Sequence, residues 1–221
     1  MILAIDTSLG SAVAVVDLDG ITRGEASSPN ALGHAEIIGT LIEGALAEAS
    51  VTPRDITHVA AGMGPGPFTG LRIGIAAART FALARAVPVI AVASHDAAAL
   101  AEFETAASGP IAIVTDARRR EFAYTVYAGL AEGLPIRTTE PALAPRDDLD
   151  ARLLSLGLPA NPVQRVDVTS ISAGTLGRLA GRMLAAGIAA DRHAGDGSSA
   201  EPLYLRSPDV TLGHAPKRVG V

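Results

Sequence analysis

GMGPGPFTGLRIG, residues 62–74, sets glycine and proline in alternation directly ahead of a strong helix. Two physical demands produce such a pattern: a backbone that must approach a ligand phosphate, or a tight turn that lets a helix pack unusually near its neighbours. As a phosphate loop the stretch lacks a following GK[ST], and the sole lysine of the chain, Lys217, lies far from it. Pro65 and Pro67 each remove a backbone donor from it. Close packing is therefore the favoured reading. The spacing predicts a helix over 68–85 that is apolar almost all round. Arg72 and Arg79 share one narrow strip, Leu71, Ile75 and Ala78 lie to one side of it, and Gly70, Ile73, Gly74, Ala77, Phe81 and Ala84 lie to the other. Such a helix must be covered on two sides, and a single sheet covers only one. Two covers stand open: the chain's own second lobe or first helix, and a partner protein.

Outward from this block the chain alternates. Residues 2–7, 11–17 and 21–27 read as three consecutive strands joined by turns at 8–10 and 19–20. Ile37, Ile38, Leu41, Ile42, Ala45 and Leu46 at helical spacing predict a helix beginning at His34. Strands over 56–61 and 87–92 bracket the central helix, and a third helix is expected over 94–102. The order βββαβαβα implies a mixed sheet, antiparallel first and parallel later, covered by helices. After the breaker at 106–110, IAIVTDARRREFAYTVY (111–127) repeats the strand, turn and strand of the N-terminus and aligns Asp116 with Asp6. Beyond it come a helix over 147–156, a loop with Pro159 and Pro162, a helix over 172–186 and a stretch rich in glycine and serine before PLYLRSP (202–208). This pattern divides the chain into a lobe of residues 1–105 and a smaller, eroded copy over 106–221.

Composition narrows the function classes. The 221 residues are 48% hydrophobic, enough for a substantial core. The chain opens on an apolar strand with no basic region ahead of it, and the apolar run 73–92 is broken by Arg79, Arg85 and Pro88; a cytoplasmic protein without a membrane span is expected. With no cysteine there is no disulfide framework, thiolate chemistry or zinc ribbon. A net charge of -5 and 3% aromatic residues argue against an autonomous nucleic-acid binder. Arg118-Arg119-Arg120, the one basic run, reads as a solvated turn or as one edge of a larger basic surface completed by a partner.

Local catalytic signatures are missing. The five histidines, at 34, 58, 95, 193 and 214, form no HExxH or other close pair, and no GxSxG elbow occurs. No metal site is expected. Asp6-Thr7-Ser8, ending the first strand, makes a good polar turn. In two-lobed sugar kinases, Hsp70 and actin, a turn of this kind faces nucleotide phosphates and their metal.

ILAIDTS (2–8), the helix opening at His34, GMGPGPFTGLRIGIAAARTFALA (62–84), VIAVASHDAAAL (89–100), VTDARRREFAY (114–124) and PLYLR (202–206) together resemble the bacterial TsaB family, also called YeaZ, of the tRNA threonylcarbamoyladenosine (t6A) pathway. Met63 and Pro67 depart from that pattern, which has an arginine and a serine there. The resemblance implies an α/β fold of the ASKHA type (actin, Hsp70, sugar kinase; ribonuclease-H-like), two-lobed with mixed sheets. It also implies a non-catalytic scaffold that pairs with the related catalytic subunit TsaD and, with the ATPase TsaE, supports threonylcarbamoyl transfer to tRNA. Catalytic relatives hold a metal through two histidines four positions apart on the first helix, whereas here His34 is followed at that spacing by Ile38. No cofactor is required by this chain alone, and ATP and metal are expected in the partner subunits. A homodimer in the absence of TsaD is also implied, as is tRNA contact through the complex. Asp6, Thr7, Ser8 and Asp116 are the candidates for a vestigial or shared nucleotide cleft. His34, Ile38, Ile42, Gly70, Ile73, Gly74, Ala77 and Phe81 are the candidates for the partner interface. Two rival readings remain: a nucleotide-using ASKHA enzyme with Asp6 and Asp116 flanking a metal-bound phosphate, and a glycoprotease-like hydrolase.

Overall fold

The computed structural model describes residues 1–29, 33–157, 162–188 and 201–206. Pro159, the stretch rich in glycine and serine, His193, His214 and Lys217 fall outside the described residues, as does the chain after Arg206.

The N-terminal half builds a five-stranded sheet in the order β3-β2-β1-β4-β5 from β1 (Ile2–Asp6), β2 (Ser11–Val16), β3 (Thr22–Ser28), β4 (His58–Gly62) and β5 (Val89–Val92). The first three strands form the expected antiparallel meander, and β4 and β5 join parallel to β1. Both faces of the central strands are buried, so these strands read as continuous apolar runs rather than alternating ones. The period of two still decides what each residue meets. Leu3, Ile5, Val13, Val15, Val59 and Ala61 face α1 (His34–Glu48) and α2 (Phe68–Arg85). Ile2, Ala4, Ala14, Val16 and Ala60 face the opposite core, shared with α3 (Ser94–Thr105) and α5 (Ala173–Ala185).

The second sheet has the order β10-β6-β7-β8, built from β6 (Ile111–Asp116), β7 (Glu121–Ala131), β8 (Leu134–Arg137) and β10 (Gln164–Asp167), with β9 (Ala142–Pro145) also pairing with β7. One face supplies Ile111, Ile113 and Tyr127 to the core of α3 and α5. The other packs Val114, Tyr124 and Val126 against Leu149 and Leu153 of α4 (Leu149–Leu156). The internal repeat is visible as topology: β6, β7 and β8 form a meander like β1 to β3, β10 runs parallel to β6 as β4 does to β1, and a helix follows each. Register agrees, since Asp6 pairs with Ala12 and Asp116 with Phe122, each aspartate meeting the residue six positions on. Among the described residues nothing in the second sheet corresponds to β5. Strands β8, β9 and β10, at four residues each, were not expected from the sequence. The helix α5, although it follows the second sheet in the chain, packs on β1 and β2 of the first.

Buried polar contacts fasten α3 to the second sheet. His95, fully buried, bonds through Nδ1 to Thr125 Oγ1 at 2.8 Å and through Nε2 to Thr115 Oγ1 at 3.0 Å. One residue on, Asp96 accepts from Tyr127 Oη at 2.7 Å and from two nitrogens of Arg137 at 2.7 and 2.6 Å. Burial, and then the Arg137 charge, push the His95 imidazole down to about 3, so it stays neutral at ordinary pH. Among the described residues no helix is long and apolar enough to cross a membrane.

Candidate functional site

Four of the five glycines of the 62–74 stretch meet one object, the turn Asp6-Thr7-Ser8; the fifth, Gly64, faces Leu71. A Cβ on Gly62 would stand 2.0 Å from Asp6 Oδ2, and one on Gly74 would stand 2.2 Å from Thr7 Oγ1. A Cβ on Gly66 would stand 2.8 Å from Ser8 Cα, and one on Gly70 2.8 Å from the Thr7 carbonyl oxygen. The opening question is thereby resolved in favour of close packing, and the neighbour is the β1–β2 turn of the same chain. Thr7 Oγ1 donates to the Gly70 carbonyl at 2.7 Å, fastening the first turn of α2 to the end of β1.

Asp6 is enclosed by this arrangement. Its Oδ1 accepts from the Ser8 amide at 2.8 Å and from Ser8 Oγ at 2.6 Å, and its Oδ2 accepts from Ser94 Oγ at 2.5 Å. Ser94 Oγ in turn accepts from the Gly64 amide at 3.1 Å, tying the glycine loop to α3. Burial pushes the Asp6 carboxyl above its ordinary value, and the bonds from Ser8 and Ser94 pull the other way. Asp6, Thr7 and Ser8 are 2%, 1% and 2% exposed, and none of them lines the neighbouring cleft. The fourth expected nucleotide-facing residue, Asp116, does line it, so the structure separates Asp116 from the other three. Asp116 accepts from the Arg118 amide at 2.8 Å and pairs with Arg146 at 2.8 Å; these bonds, the amide first, hold its carboxyl below the usual range. Among the described residues no three His, Cys, Asp or Glu side chains come together as a metal site.

The cleft, of about 670 Å³, opens between the N-termini of α1 and α2 on one side and the β6–β7 turn on the other. Its walls include His34, Thr69, Gly70 and Ile73, then Asp116, Arg118 and Arg119, with Tyr204 and Arg206 closing it from the C-terminal segment. Arg118, Arg119 and Arg120 have φ of 62°, 52° and 62°, three successive non-glycine residues in the left-handed region, where each carries a backbone cost of about 1–2 kcal/mol. The turn they form is solvated, as the sequence suggested, and it is also held in an unfavourable backbone conformation at the cleft edge. His34, 7% exposed, bonds through Nδ1 to Ser11 Oγ at 2.6 Å.

Sequence reasoning did not place the 201–206 segment here. Its Tyr204 ring lies 4.7 Å from Phe68, and its hydroxyl accepts from Arg72 Nε at 3.0 Å. Arg72 also covers the Phe68 ring at 3.8 Å, while the Leu203 amide donates to the Met63 carbonyl at 2.8 Å. The start of α2 is therefore covered by the chain itself. Of the expected interface residues, Gly70, Gly74 and His34 are buried in contacts inside the chain. Ile38, Ile42, Ile73, Ala77 and Phe81 are half-buried on the two adjacent helices α1 and α2. Met63 is buried in the core beneath them, and Pro67 occupies the N-cap of α2.

A family model described as TsaD, tRNA N6-adenosine threonylcarbamoyltransferase, matches residues 28–193. An uncharacterized protein of Mycobacterium tuberculosis (strain ATCC 25618 / H37Rv) is 39% identical over 151 residues, 67% of each chain. A tRNA N6-adenosine threonylcarbamoyltransferase of Streptococcus pneumoniae (strain Hungary19A-6) is 35% identical over 130 residues, which are 58% of this chain and only 38% of that protein's length. Among solved structures, YeaZ from Pseudomonas aeruginosa superposes with a TM-score of 0.74 at 25% identity, covering 92% of this chain and 99% of that one. A crystal structure of an uncharacterized protein with similarity to peptidase YEAZ, also from Pseudomonas aeruginosa, gives a TM-score of 0.76 at 26% identity over 93% and 99% of the two chains. The fold is thus the ASKHA-like α/β architecture of these neighbours.

Proposed function

Because the chain belongs to the TsaD family of tRNA N6-adenosine threonylcarbamoyltransferases, as one of its YeaZ (TsaB) members, we propose that it serves t6A formation as the non-catalytic subunit that pairs with TsaD. The observation that carries the non-catalytic part is the filled turn. In a nucleotide-using relative the β1–β2 turn must meet phosphate, but here Gly62, Gly66, Gly70 and Gly74 bring the chain's own backbone onto Asp6, Thr7 and Ser8. No room is left there for a phosphate or its metal. The first helix gives the same reading, since Ile38 stands one turn after His34 and offers no ligand atom.

The partner surface we assign to the outer sides of α1 and α2. Ile38, Ile42, Ile73, Ala77 and Phe81 form its half-buried edge, and Leu83, 71% exposed, stands out from α2. His34, Gly70 and Gly74 support that surface from beneath. In this reading residues 1–105 carry the pairing lobe and 106–221 the smaller one, with α5 returning to brace the first sheet. TsaE and tRNA engage the complex, ATP and metal belong to the partner subunits, the chain works in the cytoplasm, and it self-pairs through the same helices when TsaD is absent. Co-expression with the TsaD of its host tests this. A single species of heterodimer mass by sizing with light scattering is expected; two separately eluting proteins would refute the pairing.

A further inference from the structure

Positive charge is unevenly placed in this chain. Residues 1–105 carry 11 acidic and 5 basic side chains, whereas residues 106–221 carry 12 and 13. In the second group Arg137, Arg146, Arg165, Arg178, Arg182 and Arg206 are each paired with a carboxylate. Arg118 and Arg120, on the β6–β7 turn, are exposed, and their side chains make no hydrogen bond or ion pair among the described residues. The two carboxylates that flank the turn do not cancel them. Asp116 is held by Arg146 at 2.8 Å and Glu121 by Arg206, each arginine coming from another segment of the chain.

The backbone beneath these guanidiniums is fixed. The Arg118 amide donates to Asp116 Oδ1 at 2.8 Å, the Ala117 amide to the Glu121 carbonyl at 3.1 Å, and the Glu121 and Arg146 amides to the Arg118 and Arg120 carbonyls at 3.0 Å each. Arg206 Nη1 adds a bond to the Ala117 carbonyl at 3.4 Å. Only the side chains are left for a ligand to order, which keeps the cost of binding low. The φ values of the turn suit glycine, so arginine stands there against the preference of the backbone. Across the cleft the turn faces the starts of α1 and α2, where Ile73 belongs both to the cleft wall and to the pairing surface assigned above. The helix α1 carries Glu36, Glu43 and Glu48 and no basic residue. A polyanion lying beside the pair is therefore repelled by α1 and attracted at the turn. Phe122, next to the turn, is covered by Arg146 and Arg165 at 4.9 and 4.6 Å from its ring centre, so the attraction is to phosphates and not to stacked bases.

We propose that the β6–β7 turn is an RNA contact of the paired complex, in which Arg118 and Arg120 each meet a backbone phosphate of the tRNA and read no sequence. The choice of RNA rests on the t6A reading above. Fluorescence anisotropy of labelled host tRNA with the heterodimer, over a series of NaCl concentrations, tests it. Arg118→Gly combined with Arg120→Gly removes both charges at positions whose φ glycine adopts freely, so the Tm should equal or exceed that of the parent. This variant should weaken binding at least 5-fold, for substrate and non-substrate tRNA alike, and lower the slope of log Kd against log salt by about 1–2. Arg118→Lys combined with Arg120→Lys should stay within about 2-fold of the parent, since a point charge suffices for a phosphate. Sizing with light scattering should show the heterodimer intact in both variants. Unchanged affinity and slope in the glycine variant, or a lysine variant as weak as the glycine one, would overturn the assignment. So would a heterodimer broken by the glycine variant, which would make the partner of the turn an acidic protein surface. If the parent chain and TsaD do not co-elute, the pairing fails and the turn is read by NMR of the chain alone in low salt. The amide signals of 117–121 should then shift on addition of tRNA and those of α1 should not; no shift at the turn would overturn the contact.

Discussion

Gly74→Ala puts the packing of the central loop to a direct test, because helix propensity and tertiary packing pull it in opposite directions. In an exposed helix the change gains about 1 kcal/mol from the lower backbone entropy of alanine. Here the new methyl would stand 2.2, 2.9 and 3.0 Å from Oγ1, Cγ2 and Cβ of Thr7. Thr7 cannot swing aside, being 1% exposed and bonded to the Gly70 carbonyl at 2.7 Å. Overpacking of this kind costs about 1–3 kcal/mol. Displacing Thr7 leaves a buried hydroxyl without a partner at roughly 1–3 kcal/mol more. The net expectation is a loss of about 3 kcal/mol, a drop of roughly 6–12 °C in Tm for a chain of this size. Gly39→Ala is the matched control. It lies on α1 with nothing within 4 Å of its Cβ position and should gain about 0.5–1 kcal/mol. Urea unfolding followed by circular dichroism reads both variants, and Thr7→Ala in the Gly74→Ala background should recover part of the loss. Gly74→Ala as stable as the parent chain would refute the close approach of α2 to the turn.

Other outcomes follow from the same contacts. Asp6→Ala removes the acceptor of three buried donors and should lower stability by about 2–4 kcal/mol, read by thermal unfolding. His95 is held neutral, its folded value lying far below the unfolded 6.5, so its contribution is fully present above pH 6.5 and drains as pH falls toward about 3. Relative to His95→Gln, the parent chain should lose about 2 kcal/mol between pH 7 and pH 5, and a pH-independent difference would contradict the buried neutral imidazole. Asp6, raised by burial, acts with the opposite sign but is common to both proteins and cancels in that comparison. Ala77→Glu places a charge on the half-buried edge of α2; an unpaired charge in a desolvated interface costs on the order of several kcal/mol. The variant should stay folded by circular dichroism and fail to co-elute with TsaD.

The strands of the first sheet and helices α1 to α3 are legible because their signals are local: apolar runs of strand length, helical spacing, and breakers at Pro53, Pro88 and Gly109-Pro110. Strands β8 to β10 are not, because four residues with mixed exposure carry no period to read. The site is divided in the same way. Asp6 and Asp116 could be aligned from the repeat, yet nothing local says that one is sealed and the other open. That difference comes from glycines 56 or more positions further along the chain, which fill the Asp6 turn and have no counterpart over Asp116 among the described residues. The glycine spacing was legible as a demand for close approach. Its target was not, since a helix wheel shows which face is bare and never what lies against it. The placement of Tyr204 on Phe68 joins residues 136 positions apart in sequence, and only the folded chain brings them to one cleft.

The central claim is that this chain supports t6A formation without performing it. The most direct measurement is the t6A content of tRNA after incubation with this chain alone, with the TsaD of its host alone, and with both, each with TsaE, ATP and the threonylcarbamoyl donor present. The account predicts modification only when both are present, and its loss when this chain carries Ala77→Glu. Modified tRNA from this chain without TsaD, or a TsaD rate indifferent to its addition, would contradict it.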